Sequence, residues 1–229
     1  MVWYLVPDEE GTGDGGHVGF LDPTPRNLRR FSDCDPPLYD ALGEIVEDDD
    51  RSVRAVRERG VLPRGRAFYE ASLSFASMPG IGREAKERRL ERRKAWAWDA
   101  LAASRGCDLV FADPDNGLEV EGKKPHTKRG PKYAYFDELR PYLDRGQSLV
   151  VFQSRDRTSV EHQMQERLSQ VHDQLGRMFA LFHRPYAGRS FFVVPSEAHW
   201  QTLYEGVVRL ARHRCWSEQF TLYGPEGPE

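Results

Sequence analysis

The sequence predicts an α/β fold, a Rossmann-like three-layer sandwich whose central sheet is mostly parallel. Short apolar runs that are typical of buried strands alternate along the chain with amphipathic stretches that are typical of helices. The runs Leu109–Ala112 and Ser148–Phe152 each end abruptly in polar residues, as strands do at the ligand-binding edge of a parallel sheet. A chain of 229 residues fits one catalytic domain, with its core in residues 1–223 and a flexible tail at 224–229.

The first half of the chain supplies one strand and several helices. Val2–Val6 is rich in residues that favour strands, and acids and glycines follow it. Apolar spacing predicts an amphipathic helix from Pro36 to Val46, and three consecutive acids can cap a second helix from Arg51 to Arg59. The sequence of residues 67–75 is typical of a strand or of an irregular aromatic segment. Residues 83–104 predict a long helix whose charges pair along a solvated face.

The second half alternates strands with helices. Thr158 is placed to cap a long helix, and Glu161 lies where a capping box requires it. The other predicted elements are a helix at Asp137–Arg145, strands at Met178–His183 and Ser190–Val194, a helix that ends near Arg214, and a strand at Phe220–Leu222.

Charge and cysteine content exclude several classes of protein. A formal net charge of -3 argues against a generic polyanion binder, although it leaves room for local basic patches. Cys34, Cys107 and Cys215 lie far apart and form no CxxC pair, which indicates a reducing compartment and no zinc site. No apolar run reaches membrane length, and no signal peptide is evident. We therefore expect a cytoplasmic protein.

The chemistry is expected in the turn that ends the first of these apolar runs, Asp113-Pro114-Asp115-Asn116-Gly117. Proline cannot continue a strand's hydrogen-bond ladder, and Asn-Gly favours the positive φ of a tight turn. Ligands bind at this carboxyl edge in open α/β sheets. The candidate catalytic residues are therefore Asp113, Asp115 and Asn116, and the candidates for substrate binding from neighbouring strand ends are Asp8 and Gln153.

A basic segment follows the acidic turn directly. Residues 122–132 contain five cations and no acid, and their glycines and prolines predict an irregular loop. Cations beside a carboxylate cleft suit an enzyme that acts on nucleic acid, because lysine and arginine hold the phosphates. Tyr133 and Tyr135 are placed to stack on a base. The candidate phosphate-binding residues are Lys123, Lys124, Lys128, Arg129, Lys132 and Arg155.

The acidic turn resembles the water-activating motif of uracil-DNA glycosylases, which has the form Asp-Pro-Tyr-His-Gly. Asn116 replaces the histidine of that motif, Asp115 adds an acid, and the motif lies in mid-chain instead of early. The resemblance implies a metal-free and cofactor-free hydrolysis in which the Asp113 carboxylate stabilises positive charge on the sugar and aligns water. A side-chain amide, from Asn116 or Gln153, would read the edge of a flipped-out base.

Over nearly its full length, the chain is also similar to a set of bacterial proteins. The matching stretches are Pro7-Asp8-Glu9, Asp35 to Asp40, Asp113 to Glu119 and Lys132 to Glu138. This set is identified as including phage-defence DNA glycosylases, which remove modified bases from viral DNA. The resemblance implies that DNA is the partner and that the reaction is base excision.

Three other functions fit the same residues. Amino-methyltransferases that use S-adenosylmethionine place Asp/Asn-Pro-Pro-Tyr/Phe at a strand end, and Asp113-Pro114 matches the first half of that motif, with residues 11–16 as the cofactor loop. Pro114-Asp115 with Glu121-Gly122-Lys123 spells a PD-ExK pattern. A hairpin at Asn116-Gly117 would then bring Asp115 and Glu121 together to hold Mg²⁺. The third of these functions is non-enzymatic: the chain would be a Rossmann-like module that binds a nucleotide.

Overall fold

The structure is a computed structural model that describes residues 1–7, 18–50, 52–62, 67–186 and 188–224. The predicted substrate-binding residue Asp8, the glycine-rich residues 11–16 and residues 225–229 of the tail lie outside these ranges. The chain divides into two compact units. The first comprises Met1–Pro7, Ala67–Ala211 and Phe220–Glu229, and the second comprises Asp8–Arg66 and Arg212–Gln219. The single catalytic domain stays a prediction.

The first unit contains a six-stranded sheet and a separate pair of two-residue strands. The sheet order is β1-β2-β5-β7-β6-β8, and β3 pairs in parallel with β4. The strands are β1 (Val2–Trp3), β2 (Leu109–Asp113), β3 (Gly117–Leu118), β4 (Tyr133–Ala134), β5 (Ser148–Ser154), β6 (Phe179–His183), β7 (Arg189–Val194) and β8 (Phe220–Tyr223).

The sheet is mixed, which corrects the prediction of a mostly parallel one. Strands β1, β2 and β5 run parallel, whereas β7 is antiparallel to both β5 and β6, and β8 is antiparallel to β6. The reason lies in the connection between β6 and β7, which consists only of residues 184–188. A parallel crossover needs about a dozen residues, so these two strands form a hairpin.

Helices cover both faces of the sheet in the first unit. Trp96 in helix Arg83–Ala103, Leu139 in helix Phe136–Asp144 and Met164 in helix Val160–Leu175 join the core cluster on one face. Trp200, which starts helix Trp200–Arg212, packs with Phe179 on the other face. No helix among the described residues is long and apolar enough to cross a membrane. The helices are α1 (Pro25–Asn27), α2 (Pro36–Glu47), α3 (Val53–Glu58), α4 (Arg83–Ala103), α5 (Phe136–Asp144), α6 (Val160–Leu175) and α7 (Trp200–Arg212).

The helix starts are set by caps, two of which differ from prediction. The second unit contains α1 to α3. In this unit Ser52, and not the acids before it, caps α3, because the Ser52 side chain accepts a hydrogen bond from the Ala55 N–H. In the first unit, Ser159 instead of Thr158 caps α6. The Thr158 hydroxyl is bonded to the Asp156 carboxylate, which also accepts the Thr158 N–H.

Candidate functional site

The ends of β1, β2 and β5 meet at one edge of the sheet. Trp3 lies opposite Asp113 in the parallel ladder, and the Tyr4 N–H donates to the Asp113 carbonyl oxygen at 3.2 Å. Ala112 lies opposite Val151, so the carboxyl ends of β2 and β5 are also neighbours. The structure therefore brings the acidic turn and the polar end of β5 together, as the sequence predicts.

The Asp113 carboxyl is half-buried at the end of β2. Within the described residues it has no hydrogen bond and no ion pair. Its pKa is raised to about 6, chiefly by burial and then by the nearby Asp115 carboxylate, while the positive charge of Arg189 acts in the opposite direction. A carboxyl that titrates near neutral pH and has no internal partner can bind substrate or act in acid-base chemistry.

Aromatic side chains share the sheet face of Asp113. Side chains alternate along a strand, so Asp113 faces the same side as Phe111 and the opposite side from the buried Ala112. The half-buried rings of Phe111 and Phe152 each contact the Phe191 ring, with centroids 6.1 and 6.0 Å apart. This face therefore offers flat apolar groups beside a carboxylate, which suits a planar heterocycle.

Asp115 and Lys132 hold the acidic turn from its exposed side. The Lys132 Nζ lies 3.0 Å from an Asp115 carboxylate oxygen, and the side chain of Lys132 is only 15% exposed. The Asn116 N–H donates to the Lys132 carbonyl oxygen at 2.8 Å. Lys132 was predicted to hold phosphate. Its ion pair and burial instead give it a structural role, because they fix the turn against β4.

Gln153 supports the same turn from the buried side. Its side-chain Oε1 accepts the Leu118 N–H at 2.9 Å, and its Nε2 donates to the carbonyls of Asn116 and Ser154 at 3.1 and 2.9 Å. A Cβ at Gly117, where φ is +108°, would overlap this amide. Both Nε2 donors are used and the residue is buried, so the predicted role of Gln153 in reading a base is corrected to positioning of the turn.

Asn116 keeps its side chain available while its backbone is fixed. Its carbonyl accepts the Gln153 Nε2 and the Ser154 hydroxyl, the latter at 2.7 Å. No hydrogen bond to its side-chain amide occurs in the part of the chain that the structure describes. The side chains of Asp113 and Asn116 are thus polar groups of the turn that make no hydrogen bond to the described residues.

The two tyrosines that were predicted to stack on a base differ in accessibility. Tyr135 is 6% exposed, its hydroxyl donates to the Lys123 carbonyl at 3.0 Å, and its ring contacts the Arg93 guanidinium at 4.5 Å. Stacking of Tyr135 on a base is therefore corrected to a structural role. Tyr133, in β4 opposite Gly117, is half-buried, and its predicted contact with a base stays a prediction.

The basic loop is a series of ordered turns. Hydrogen bonds link Thr127 to Lys124 and Gly130 to Thr127, and a 3₁₀ turn spans Gly130–Lys132. A Cβ at Gly130 would overlap the Pro125 carbonyl oxygen, so the loop packs closely on itself. The predicted phosphate-binding side chains that are exposed are Lys124, Lys128, Arg129 and Arg155, and Lys123 is half-buried.

Arg93 is the supporting residue that the sequence analysis missed. It is 2% exposed, and its guanidinium donates to the Gly130 carbonyl at 2.8 Å, to the Tyr133 carbonyl at 2.6 Å and to both Glu138 oxygens at 2.5 and 2.8 Å. The signal was available, because Arg93 occurs three residues before the buried Trp96 on the apolar stripe of α4. It ties the basic loop to the core.

The arrangement predicted for a metal nuclease is wrong. Gly117 and Leu118 pair with Tyr133 and Ala134 in parallel, so Asn116-Gly117 turns no hairpin between Asp115 and Glu121. Glu121 is exposed in a turn. Among the described residues, no group of three or more His, Cys, Asp or Glu side chains is close enough to hold a metal ion.

Comparisons with known proteins add no relative. No protein-family model, no curated protein and no solved structure matches the chain.

Proposed function

We propose that the chain is a DNA glycosylase that excises a nucleobase, in particular a modified one from phage DNA, by hydrolysis of the N-glycosidic bond. The observation that carries the proposal is the half-buried Asp113 carboxyl at the carboxyl edge of β2, which has no hydrogen bond or ion pair to the residues that the structure describes and has aromatic rings on the same face. We also propose that the fold is a Rossmann-like three-layer sandwich and that the protein is cytoplasmic.

The mechanism needs one carboxylate and one water molecule. As the bond between C1′ and the base breaks, positive charge develops on the sugar, and the Asp113 carboxylate stabilises it. A water oxygen bonds to C1′, one of its protons leaves through the carboxylate, and the departing base takes up the electron pair and a proton. Asn116 contacts the base edge, while Gln153 and the ion pair between Asp115 and Lys132 keep the turn rigid.

The product distinguishes this proposal from its rivals. Purified protein is incubated with plain and base-modified phage DNA in the presence of chelator and without a methyl donor. Mass spectrometry then identifies the products. We expect free base and abasic DNA. A methylated product that appears only when S-adenosylmethionine is added would overturn the proposal, as would cleaved strands that contain every base.

The rate of base release should depend on pH through Asp113. The carboxylate is the active form, so the rate should rise with pH and reach half its maximum near the raised pKa of about 6. Asp115→Asn removes a charge that raises this pKa and should move the midpoint to lower pH. Arg189→Gln should move the midpoint to higher pH. Single-turnover kinetics from pH 4 to 9 measure both shifts, and shifts in one common direction would contradict the assignment.

The exposed cations of the basic loop should account for part of the salt dependence of DNA binding. Lys124→Gln combined with Lys128→Gln removes two exposed charges, so the slope of log affinity against log salt should fall by about 2. A matched double variant, Arg105→Gln with Arg209→Gln, removes two exposed cations elsewhere and should leave the slope unchanged. Equal slopes for both double variants would exclude the loop from DNA binding.

Base methylation is the second candidate function. The observation that favours it is the adjacency of β1 and β2, because β1, which precedes the glycine-rich residues along the chain, ends beside Asp113. In such an enzyme the turn would hold the target amine. Binding of S-adenosylmethionine, measured by calorimetry, supports this candidate if it occurs in the micromolar range.

A further inference from the structure

Trp98 of α4 is a large aromatic side chain that the fold leaves in contact with solvent. It is 69% exposed, whereas Trp96, two residues earlier, is 1% exposed and belongs to the core. Tryptophan is enriched at protein interfaces, because it brings a large apolar area together with one hydrogen-bond donor. The surroundings of Trp98 show which kind of partner this surface fits.

An apolar cleft of about 470 Å³ opens beside Trp98, between α4, α5 and the basic loop. Arg93 and Glu138 also line the cleft, but their charges are already paired with each other within the chain. A cleft of this volume is large enough to take a small molecule or a large side chain. Its apolar lining residues are Leu90, Ala97, Trp98, Leu101, Pro125 and Pro141.

Helix α4 has two separate stripes of packing residues. Arg93, Trp96 and Ala100 are buried on the stripe that faces the core. The second stripe lines the cleft, and its members are half-buried or exposed and recur at helical spacing. They are Leu90, Lys94, Ala97, Trp98 and Leu101. A helix with a second apolar stripe at the surface is typical of one that packs against a partner.

Helix α5 runs beside α4 in the same direction. Near its start, Glu138 accepts a hydrogen bond from the Arg93 guanidinium at 2.8 Å, and just after its end Arg145 donates to the Leu101 carbonyl at 2.7 Å. Asp137, which directly precedes Glu138 and lines the cleft, therefore lies near the turn of α4 that contains Arg93 and Lys94. The exposed Asp137 and Lys94 side chains make no ion pair to the described residues.

A second copy of this surface is complementary to the first. A two-fold axis that crosses α4 midway between Leu90 and Leu101 makes the two helices antiparallel and places Leu90 of each copy opposite Leu101 of the other. Trp98, three residues before Leu101, then lies opposite the residue three after Leu90, which is Arg93. The cleft and Asp137 lie at that position, so the exposed indole of each copy meets the cleft of the other.

We propose that two copies of the chain pair through antiparallel α4 helices, with Trp98 of each copy in the cleft of the other. The indole N–H then has the other copy's Asp137 carboxylate as its acceptor, and Lys94 provides the opposite charge to the same carboxylate. This inference is independent of the proposed function. Helix α4 packs on the sheet face of Ala112, opposite to the Asp113 side chain, so both Asp113 sites stay open.

Single-stranded DNA fits this surface less well than a second copy does. An exposed tryptophan can stack on a base, but a strand of DNA also needs cations for its phosphates. Exposed acids lie around Trp98 instead: Asp99 follows it, Glu91 is two turns earlier on α4, and Asp137 lines the cleft. These charges repel phosphate, whereas a second copy brings Lys94 to the cleft.

Sedimentation-velocity ultracentrifugation of the full chain tests the pairing. Wild-type protein should be mainly dimeric at about 100 μM. Trp98→Ala should weaken dimerisation by at least about tenfold, because a tryptophan at the centre of an interface contributes much of the binding energy. Ile81→Ala, a matched control at a 100% exposed apolar residue that does not line the cleft, should dimerise as wild type does.

Charge exchange tests whether Lys94 and Asp137 meet across the two-fold axis. Lys94→Glu and Asp137→Lys each place like charges together in a symmetric pair, so each variant alone should dimerise more weakly than wild type. A one-to-one mixture of the two variants should form dimers, measured by energy transfer between labelled copies, because every pair across the axis is then of opposite sign. Dimers restored in the double variant but not in the mixture would place the pair within one copy and overturn the arrangement.

The remaining outcomes separate this inference from the proposed function. A wild-type monomer at every concentration up to about 100 μM would overturn the pairing, as would a dimer that Trp98→Ala leaves unchanged. Binding of single-stranded DNA that depends on Trp98 and dissociates the dimer would assign the surface to nucleic acid and overturn the pairing. Base release is measured separately, so a dimer without base release would contradict the proposed function alone.

Discussion

Replacement of Asp113 by asparagine is expected to lower the single-turnover rate of base release by at least about 100-fold. The amide has nearly the shape of the carboxyl but cannot supply a negative charge to the sugar or accept a proton from water. Affinity for DNA, measured by fluorescence anisotropy, should not fall, because the phosphates are held elsewhere. A rate within about threefold of wild type would remove Asp113 from the chemistry.

The same variant should be more stable than wild type, which excludes unfolding as the cause of its inactivity. The folded-state pKa of Asp113, about 6, lies above its unfolded value, so ionisation disfavours the folded state. This penalty is fully present above pH 6 and disappears as the pH falls below the unfolded value of about 3.9. Asp113→Asn should therefore gain about 1–3 kcal/mol at pH 8 and nothing at pH 3.5, by urea denaturation.

Gly117→Ala should be the most damaging substitution in the turn. The positive φ of +108° strains any other residue, and the new Cβ would displace the Gln153 amide from the Leu118 N–H and the Asn116 carbonyl. Strain and lost hydrogen bonds together should cost about 3 kcal/mol of unfolding free energy. Base release should also slow, because Asp113 and Asn116 lose the support that fixes the turn.

Gly122→Ala provides the matched control for the turn. Gly122 also has a positive φ, +80°, but no atom lies within 4 Å of a Cβ built there. Backbone strain alone should cost about 1–2 kcal/mol and leave the rate of base release unchanged. Equal losses of stability in the two variants, measured by chemical denaturation, would contradict the role assigned to Gln153.

Local patterns in the sequence predict the individual elements well but not the direction of every strand. The strand that ends in Asp113 and the helices α4, α5 and α6 follow from apolar runs, helical spacing and capping residues. The structure places both ends of β2, α4 and α5, and the start of α6, within two residues of prediction. Strand direction depends on connection length. Residues 184–188 between β6 and β7 are too few for a crossover, so the length of this connection alone indicates a hairpin.

The candidate site shows where sequence reasoning is limited. The strand-end position of Asp113 is predictable, because a polar turn directly follows an apolar run. The roles of Gln153, Tyr135 and Lys132 are not, because each depends on partners distant along the chain. Gln153 binds the turn that follows β2, and Lys132 pairs with Asp115. Sequence composition gives the number of cations, whereas tertiary contacts decide which of them remain available for DNA.

We propose that the Asp113 carboxyl, which has no hydrogen bond or ion pair within the described residues, is left available to act on substrate. Carbon-13 NMR titration of the aspartate carboxyls, with Asp113→Asn to assign the resonance, measures this directly. We expect a midpoint near pH 6 that falls in Asp115→Asn. A midpoint near the ordinary aspartate value of about 3.9, unchanged by Asp115→Asn, would contradict it.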